Sequence, residues 1–235
     1  MPNWCLEVWG EYACFTRPEM KVERVSYDVM TPSAARAIFE SIFWKPEIQW
    51  HVNKIEVLNP IRWMSVRRNE VGKKAAAPTA KQLSGEAGKP LGLFIEEERQ
   101  QRAGLFLRDV RYRIHGHFDL KARPPAPVEP SGRLADETGA INLEAKYAAM
   151  FERRAKKGQC FHRPYLGCRE FACDFKLVET GGEAVILIDE TRDLGFMFYD
   201  WCFSDDGNEP QPMFFRAMLE NGSVDTRFSK VGVRR

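Results

Sequence analysis

Four side chains of "RDVRYRIHGHFDL" (Arg108 to Leu120) have types that can do chemistry together: Arg111, Arg113, His115 and His117, at every second position. Strand side chains alternate between faces, so these four share one face while Val110, Tyr112, Ile114 and Phe118 share the other. The apolar set reads as a core face. On the opposite face two histidines can exchange protons near neutral pH, and two arginines can hold phosphate oxygens. Two other readings fit the same residues. A His-x-His pair can ligate zinc, but it needs at least a third ligand and has only Asp119 nearby, so no metal is assigned. A strand that grips phosphates without doing chemistry needs only the same cations.

Other elements must hold that strand in place. Near-alternation from Cys5 to Phe15 predicts a first strand that bends or bulges at Gly10. Thr31 then reads as an N-cap and Pro32 as the first helical residue, followed by Ala35, Ile38, Phe39, Ile42 and Phe43 on one apolar stripe, with Lys45-Pro46 as the stop. Ile48, Trp50, Val52, Ile55 and Val57 predict a strand whose register slips near Asn53. From Arg67 to about Gln101 the chain is polar and basic without a sustained period, which predicts a long mobile insertion. A proline-rich connection follows over about 121–132. A second helix is expected around "INLEAKYAAMFERRAKKG", with Leu143, Tyr147, Met150 and Phe151 inward and Gly158 closing it. Two strands are expected at Arg169 to Val178 and Ala184 to Asp189. The order is β-α-β, insertion, β-α-β. It predicts an α+β chain: a ferredoxin-like, RRM-like domain over 1–190 with a basic insertion, and a small β-rich C-terminal region over 191–235.

Composition narrows the function classes. The chain has 235 residues, 44% hydrophobic and 29% charged, which is ordinary for a globular protein. No stretch approaches about 18 uninterrupted apolar residues, so no membrane span is expected, and "MPNWCLEVWGEY" lacks the pattern of a secretory signal. A cytoplasmic location follows as an expectation. The six cysteines include no C-x-x-C pair and read as small core or surface thiols. Formal charge is only +2, so affinity for a polyanion must come from local clusters.

The stretch "GEYACFTRPEMKVERVSYDVMTPSAARAIFESIFWKP" (Gly10 to Pro46) closely resembles the N-terminal signature of the type I-C (Dvulg) CRISPR-associated Cas five proteins, within the repeat-associated mysterious protein superfamily. Glu23-Arg24, Ser26-Tyr27, "TPSAAR" and Trp44-Lys45-Pro46 carry the likeness, which continues through "VRYRIHGHF", "PYLGCREF" and "FRAMLENG". The resemblance implies a ferredoxin-like fold and an endoribonuclease that cuts CRISPR precursor RNA at its repeat hairpin without a metal or other cofactor. It also implies retention of the 5′ handle of the guide RNA within the type I-C interference complex. The family's site combines a tyrosine near the end of the first helix with a lysine and a histidine on a core strand. Matched onto this chain, the histidine is His117, the lysine position holds His115 and the tyrosine position holds Phe43. Phe43 has no hydroxyl, which leaves Tyr27 and Tyr112 as the nearest tyrosines by sequence.

The implied partner is CRISPR repeat RNA, alongside other subunits of the complex. Cleavage without a metal needs a base for the 2′-hydroxyl, an acid for the departing 5′ oxygen, and cations for the phosphate. His115 and His117 can share the proton transfers while Arg111 and Arg113 hold phosphates. Arg24, Lys45, Arg153, Arg154, Arg163, Gly167 and Arg169 are further RNA-binding candidates, the last three in the glycine-containing loop "HRPYLGCRE". His51 and His162 read as structural or phosphate-binding residues. A non-catalytic subunit gripping the handle, and a general binder of duplex RNA or DNA, are alternatives compatible with the same basic face.

Overall fold

The computed structural model describes residues 3–74, 76–85, 92–121, 138–179, 185–203 and 209–234, with side chains of the 138–179 segment from Leu143 onward. Strand β1 (Trp4–Ala13) comes first, and α1 (Pro32–Ile42) follows. The helix starts where Thr31 accepts a hydrogen bond from the Ala34 amide and Pro32 fills the first position, and Phe43 leaves the helical conformation at its end. Next come β2 (Ile48–Val57), β3 (Arg62–Val71), the single turn α2 (Ala80–Leu83) and β4 (Arg99–Leu120). After them lie α3 (Thr138–Lys156), β5 (Asp174–Val178), β6 (Arg192–Cys202), β7 (Gln211–Leu219) and β8 (Ser223–Asp225).

One sheet runs in the order β5-β1-β4-β2-β8, and every pairing in it is antiparallel. Its longest strand, β4, has 22 residues and serves two partners in turn. The Arg99–Arg108 half pairs with β3, and the half running on to Leu120 is flanked by β1 and β2. Asp109 stands where the halves meet, with a φ of 53°, and its carbonyl accepts from the Asn59 side chain at 2.7 Å. β6 and β7 form a separate hairpin. That hairpin is tied to α1 by the ion pair of Arg36 with Asp200 at 2.6 Å, and to the core by Met197, Phe215, Ala217 and Leu219.

Several sequence expectations change here. The β1–β4 register passes through Gly10 without a slip, so no bulge forms there, and the glycine instead makes room for the Leu166 side chain. The slip expected near Asn53 is present, between Val52 and Lys54. The ends of the polar 67–101 stretch are strand, not irregular chain, because its residues continue the β3–β4 ladder as far as Val71 and Arg99. Residues 185–189 form no strand, and Ile186 is exposed. The proline-rich connection falls, apart from Lys121, outside the described residues.

The core lies between the sheet and the two long helices. Val110, Tyr112, Ile114 and Phe118 of β4 are buried, as expected from alternation, with Leu6 and Val8 of β1 and Trp50 and Ile55 of β2. α1 contributes Ala35, Ile38, Phe39 and Ile42, and α3 contributes Tyr147, Phe151 and Ala155. Trp4 stacks on Phe118 at 5.3 Å, and Phe39 stacks on Trp50 at 4.8 Å. No helix among the described residues is long and apolar enough to cross a membrane.

Gly116 lets the helix layer come down onto this sheet. A Cβ there would lie 2.7 Å from the His51 carbonyl oxygen and 2.9 Å from the Phe39 ring. A glycine-to-alanine change in an unstrained strand is ordinarily neutral or stabilising. Gly116→Ala is expected to do the opposite, lowering the urea midpoint by the equivalent of about 1–3 kcal/mol with an unchanged m value, as in overpacked cores. An unchanged or raised midpoint refutes this account of the packing.

Candidate functional site

The helices cover one face of the sheet, and the other face carries the residues singled out by alternation. Cross-strand register assembles them into rows. The first row runs from Lys176 on β5 through Glu7 on β1 and Arg113 on β4 to Glu56 on β2 and Ser223 on β8. The second runs from Val178 through Cys5, His115 and Lys54 to Asp225. His117 sits directly opposite His51. Charges therefore alternate in sign along the first row, an arrangement that stabilises paired strands.

Two carboxylates organise the cations. Glu7 is only 1% exposed, yet it points to the open face, where Arg111, Arg113 and Lys176 close over it. Burial would raise its pKa, but the hydrogen bonds from Arg111, Lys176 and Arg113 outweigh burial and hold it below the usual carboxylate range. Arg111 and Arg113 are thus ion-paired across the strands, not bare phosphate ligands. Arg111 remains well exposed at 45%, with room to meet an anion.

Glu56 does the same for the second row. Its Oε2 lies 2.7 Å from His115 Nε2 and its Oε1 2.5 Å from Lys54 Nζ. Burial again opposes ionisation, and the His115 and Lys54 hydrogen bonds overcome it, bringing Glu56 down to about 2. Cys5 Sγ is 3.7 Å from the same His115 nitrogen, and burial pushes this thiol up to about 11. His117 meets the Asn53 side-chain amide through Nδ1 at 3.0 Å. Its ring stacks on His51 with centroids 5.4 Å apart, and Asp119 lies beyond, 3.4 Å from His51 Nε2 and 3.8 Å from His117 Nε2. Burial lowers the pKa of His51, with Asp119 opposing and the His117 and Arg36 charges reinforcing that effect. Burial thus favours the uncharged form of the His51 ring. A cavity of about 560 Å³ opens beside these groups, lined by Asn3, Asn53, Lys54, His115, Ser223 and Asp225 among others.

The structure thus brings together Arg111, Arg113, His115 and His117, and it adds Lys54, Glu56, Glu7 and His51. Alternation shows which residues of a strand share a face, whereas these additions come from neighbouring strands and depend on pairing. Phe43 and Tyr112 are not in this group. Both are buried on the helix side: Phe43 against Tyr147 and beneath the Arg154 guanidinium, Tyr112 against Phe15. Tyr27 is also buried, its hydroxyl accepting from the Phe198 amide.

The remaining candidates lie elsewhere. Arg154 donates to the Ile42 carbonyl, Arg153 is exposed beside it, and Lys45 is half-buried beyond the end of α1. Arg24 pairs with Glu170 at 3.1 Å, and Arg163 with Asp174 at 2.8 Å. Arg169 is exposed, two residues after Gly167, whose φ is +83°. Among the described residues, no group of three His, Cys, Asp or Glu side chains is arranged to hold a metal ion.

Comparison with known proteins gives a consistent result. A family model described as CRISPR-associated protein (Cas_Cas5) matches residues 5–227. A Mannheimia succiniciproducens protein named CRISPR pre-crRNA endoribonuclease Cas5d is 45% identical over 225 residues, spanning 94% of this chain and 92% of that one. A Thermus thermophilus protein of the same name is 38% identical over 245 residues, spanning 96% and 91%. Two solved structures share the fold. One is titled as a CRISPR-associated protein, with a TM-score of 0.66 at 22% identity, covering 100% of this chain and 97% of that chain. The other is the functionally uncharacterized SMU1763c from Streptococcus mutans, with a TM-score of 0.64 at 20% identity and the same coverage.

The Glu56 cluster gives a pH prediction. A carboxylate whose pKa is depressed on folding contributes stability that is complete above its unfolded value and lost as pH falls through its folded value. The stability advantage of the wild type over Glu56→Gln is expected to be full above about pH 4.5 and to vanish toward about pH 2. Urea unfolding of both proteins across that range checks this; a pH-independent difference contradicts it.

Proposed function

Because the chain belongs to the Cas5 family of CRISPR-associated proteins, we propose that it is a metal-independent endoribonuclease of the type I-C interference complex. It cuts CRISPR precursor RNA at the repeat hairpin and keeps the 5′ handle. The observation that carries this reading is the clustering of His115, His117, His51 and Lys54 on the sheet face left open by the helices. The names of the two relatives as pre-crRNA endoribonucleases support it. The ferredoxin-like assignment belongs to the same proposal. It is supported by the antiparallel order β5-β1-β4-β2, in which the strands of two β-α-β units interleave.

The cluster supplies what the reaction requires. A 2′-hydroxyl must lose a proton as its oxygen attacks the adjacent phosphorus, and the departing 5′ oxygen must gain one. His117 and His115 share these roles. Asn53 steadies the His117 ring through Nδ1, leaving Nε2 for the RNA. Glu56 orients His115 and balances the charge on that ring when it carries a proton. Lys54, the cross-strand neighbour of His115, brings to the site the lysine cation that the family pattern expects at His115. Arg111 and Lys176 extend the positive surface along the RNA backbone.

One observation favours a second reading, a non-catalytic subunit that grips the handle. The position matched to the family's tyrosine holds Phe43, which is buried and has no proton to give. Cleavage separates the two. The purified chain in EDTA is expected to cut a repeat hairpin and leave a 2′,3′-cyclic phosphate, with His117→Ala and His115→Ala each slowing the cut by about 10²–10⁴-fold. Lys54→Ala is expected to slow it as well. Binding without a cut product supports the second reading, and unchanged cleavage by both histidine variants removes the proposed roles.

A further inference from the structure

Two cysteines meet at a place the proposed reaction does not use. Cys14 follows the end of β1, and Cys168 stands in the loop after Gly167. Each touches the same hydroxyl: Thr16 Oγ1 lies 3.4 Å from Cys14 Sγ and 3.9 Å from Cys168 Sγ. The Cys168 thiol also approaches the Cys14 carbonyl at 3.6 Å, and the Arg24 guanidinium donates to the Cys168 sulfur at 3.9 Å. The backbones are equally close. The Cys14 amide donates to the Leu166 carbonyl at 3.0 Å, and a Cβ on Gly167 would stand only 2.1 Å from the Cys14 carbonyl oxygen. Cys14 is buried, while Cys168 keeps part of its surface in solvent.

A thiol beside a guanidinium and a hydroxyl, partly open to water, has the surroundings that favour its thiolate, the form that acts as a nucleophile. We propose that Cys168 is a reactive thiol which hydroperoxides convert, through sulfenic acid, into a reversible disulfide with Cys14. The Cys168 thiolate attacks one oxygen of hydrogen peroxide, the O–O bond breaks, and hydroxide leaves to be protonated to water. The Cys14 sulfur then attacks the Cys168 sulfenic sulfur, forming the S–S bond. The sulfenic hydroxyl departs and takes the Cys14 proton as a second water. Two electrons pass from the sulfurs to the peroxide, and a dithiol returns them on reduction.

The electrostatics agree with the geometry. The Cys14 hydrogen bond, aided by Thr16 and Arg24 and opposed by burial and the Glu170 charge, draws Cys168 below the ordinary thiol value, and the same pairing pushes Cys14 up. Burial instead raises Cys5 to about 11 and Cys173 to about 12, so these thiols are poor competitors. The bond would staple the loop carrying Arg163 and Arg169 to the end of β1. Glu170 in that loop already receives Arg24 and Arg68.

The test uses the full chain and peptide mass spectrometry. Iodoacetamide labelling of Cys168 is expected to be half-maximal below the ordinary thiol value, with Cys5 and Cys173 unlabelled over the same range and the Cys168 midpoint raised by Arg24→Gln. Hydrogen peroxide is then expected to yield a Cys14–Cys168 linked peptide that dithiothreitol removes. Cys14→Ser should instead leave a dimedone-reactive Cys168. Cys168→Ser, checked for native circular dichroism, should lose both signals. A Cys168 midpoint at the ordinary thiol value of about 8.5, or peroxide treatment without the linked peptide, overturns the proposal.

Discussion

The pleat of β4 is the constraint on which the rest depends. Its side chains must alternate, so its second half presents Val110, Tyr112, Ile114 and Phe118 to the helices and Arg111, Arg113, His115 and His117 to the other side. A slip of one residue would bury the cations and expose the core, which makes the register strongly specified. β1 and β2 read that register from both sides and bring their own polar residues into line with it. The packing of α1 and α3 and the chemistry of the open face are two consequences of one alternation.

Charge on the open face is arranged, not merely accumulated. Glu7 draws three cations from β4 and β5 together, and Glu56 draws His115 and Lys54 together. A surface of unpaired arginines would repel itself and leave its side chains unrestrained. The buried Glu7 and the half-buried Glu56 hold the donors in fixed places at the cost of some positive charge, and the exposed part of Arg111 and the neighbouring Lys176 keep the face attractive to a polyanion. The histidines gain most from this order, since each has one ring nitrogen or neighbour fixed by a strand partner.

Much of this was legible in the chain itself. The Thr31–Pro32 helix start, the alternation around His115 and His117, and the slip near Asn53 each depend on local chemistry that a short stretch carries complete. Gly10 misled because a glycine in a strand marks either a bulge or a close approach, and only the position of Leu166 distinguishes them. The β3 ladder was missed for a related reason. Arg67 to Val71 is polar on both faces, so a strand there shows no hydrophobic period and is supported by pairing to β4 and by ion pairs of Arg68 with Glu170 and of Glu70 with Arg24. Residues 185–189 erred in the other direction: an apolar run suggested a strand, but the segment keeps only a single hydrogen bond to β2, from the Ile188 amide to the Val57 carbonyl, and builds no ladder.

By itself, then, the sequence determined the α+β class, the faces of the long strand, the first helix and the family to which the chain belongs, because these follow from local periodicity or from motifs read in order. The tertiary structure decided which residues stand beside one another. His51 against His117, Lys54 and Glu56 around His115, Glu7 beneath the arginines, and Cys14 beside Cys168 all join parts of the chain that are distant in sequence. Strand register and loop packing, which no single segment encodes, set those distances. The same physics placed Phe43 in the core, since a helix-end aromatic facing Tyr147 and Arg154 gains more from burial than from reaching a site on the far side of the sheet.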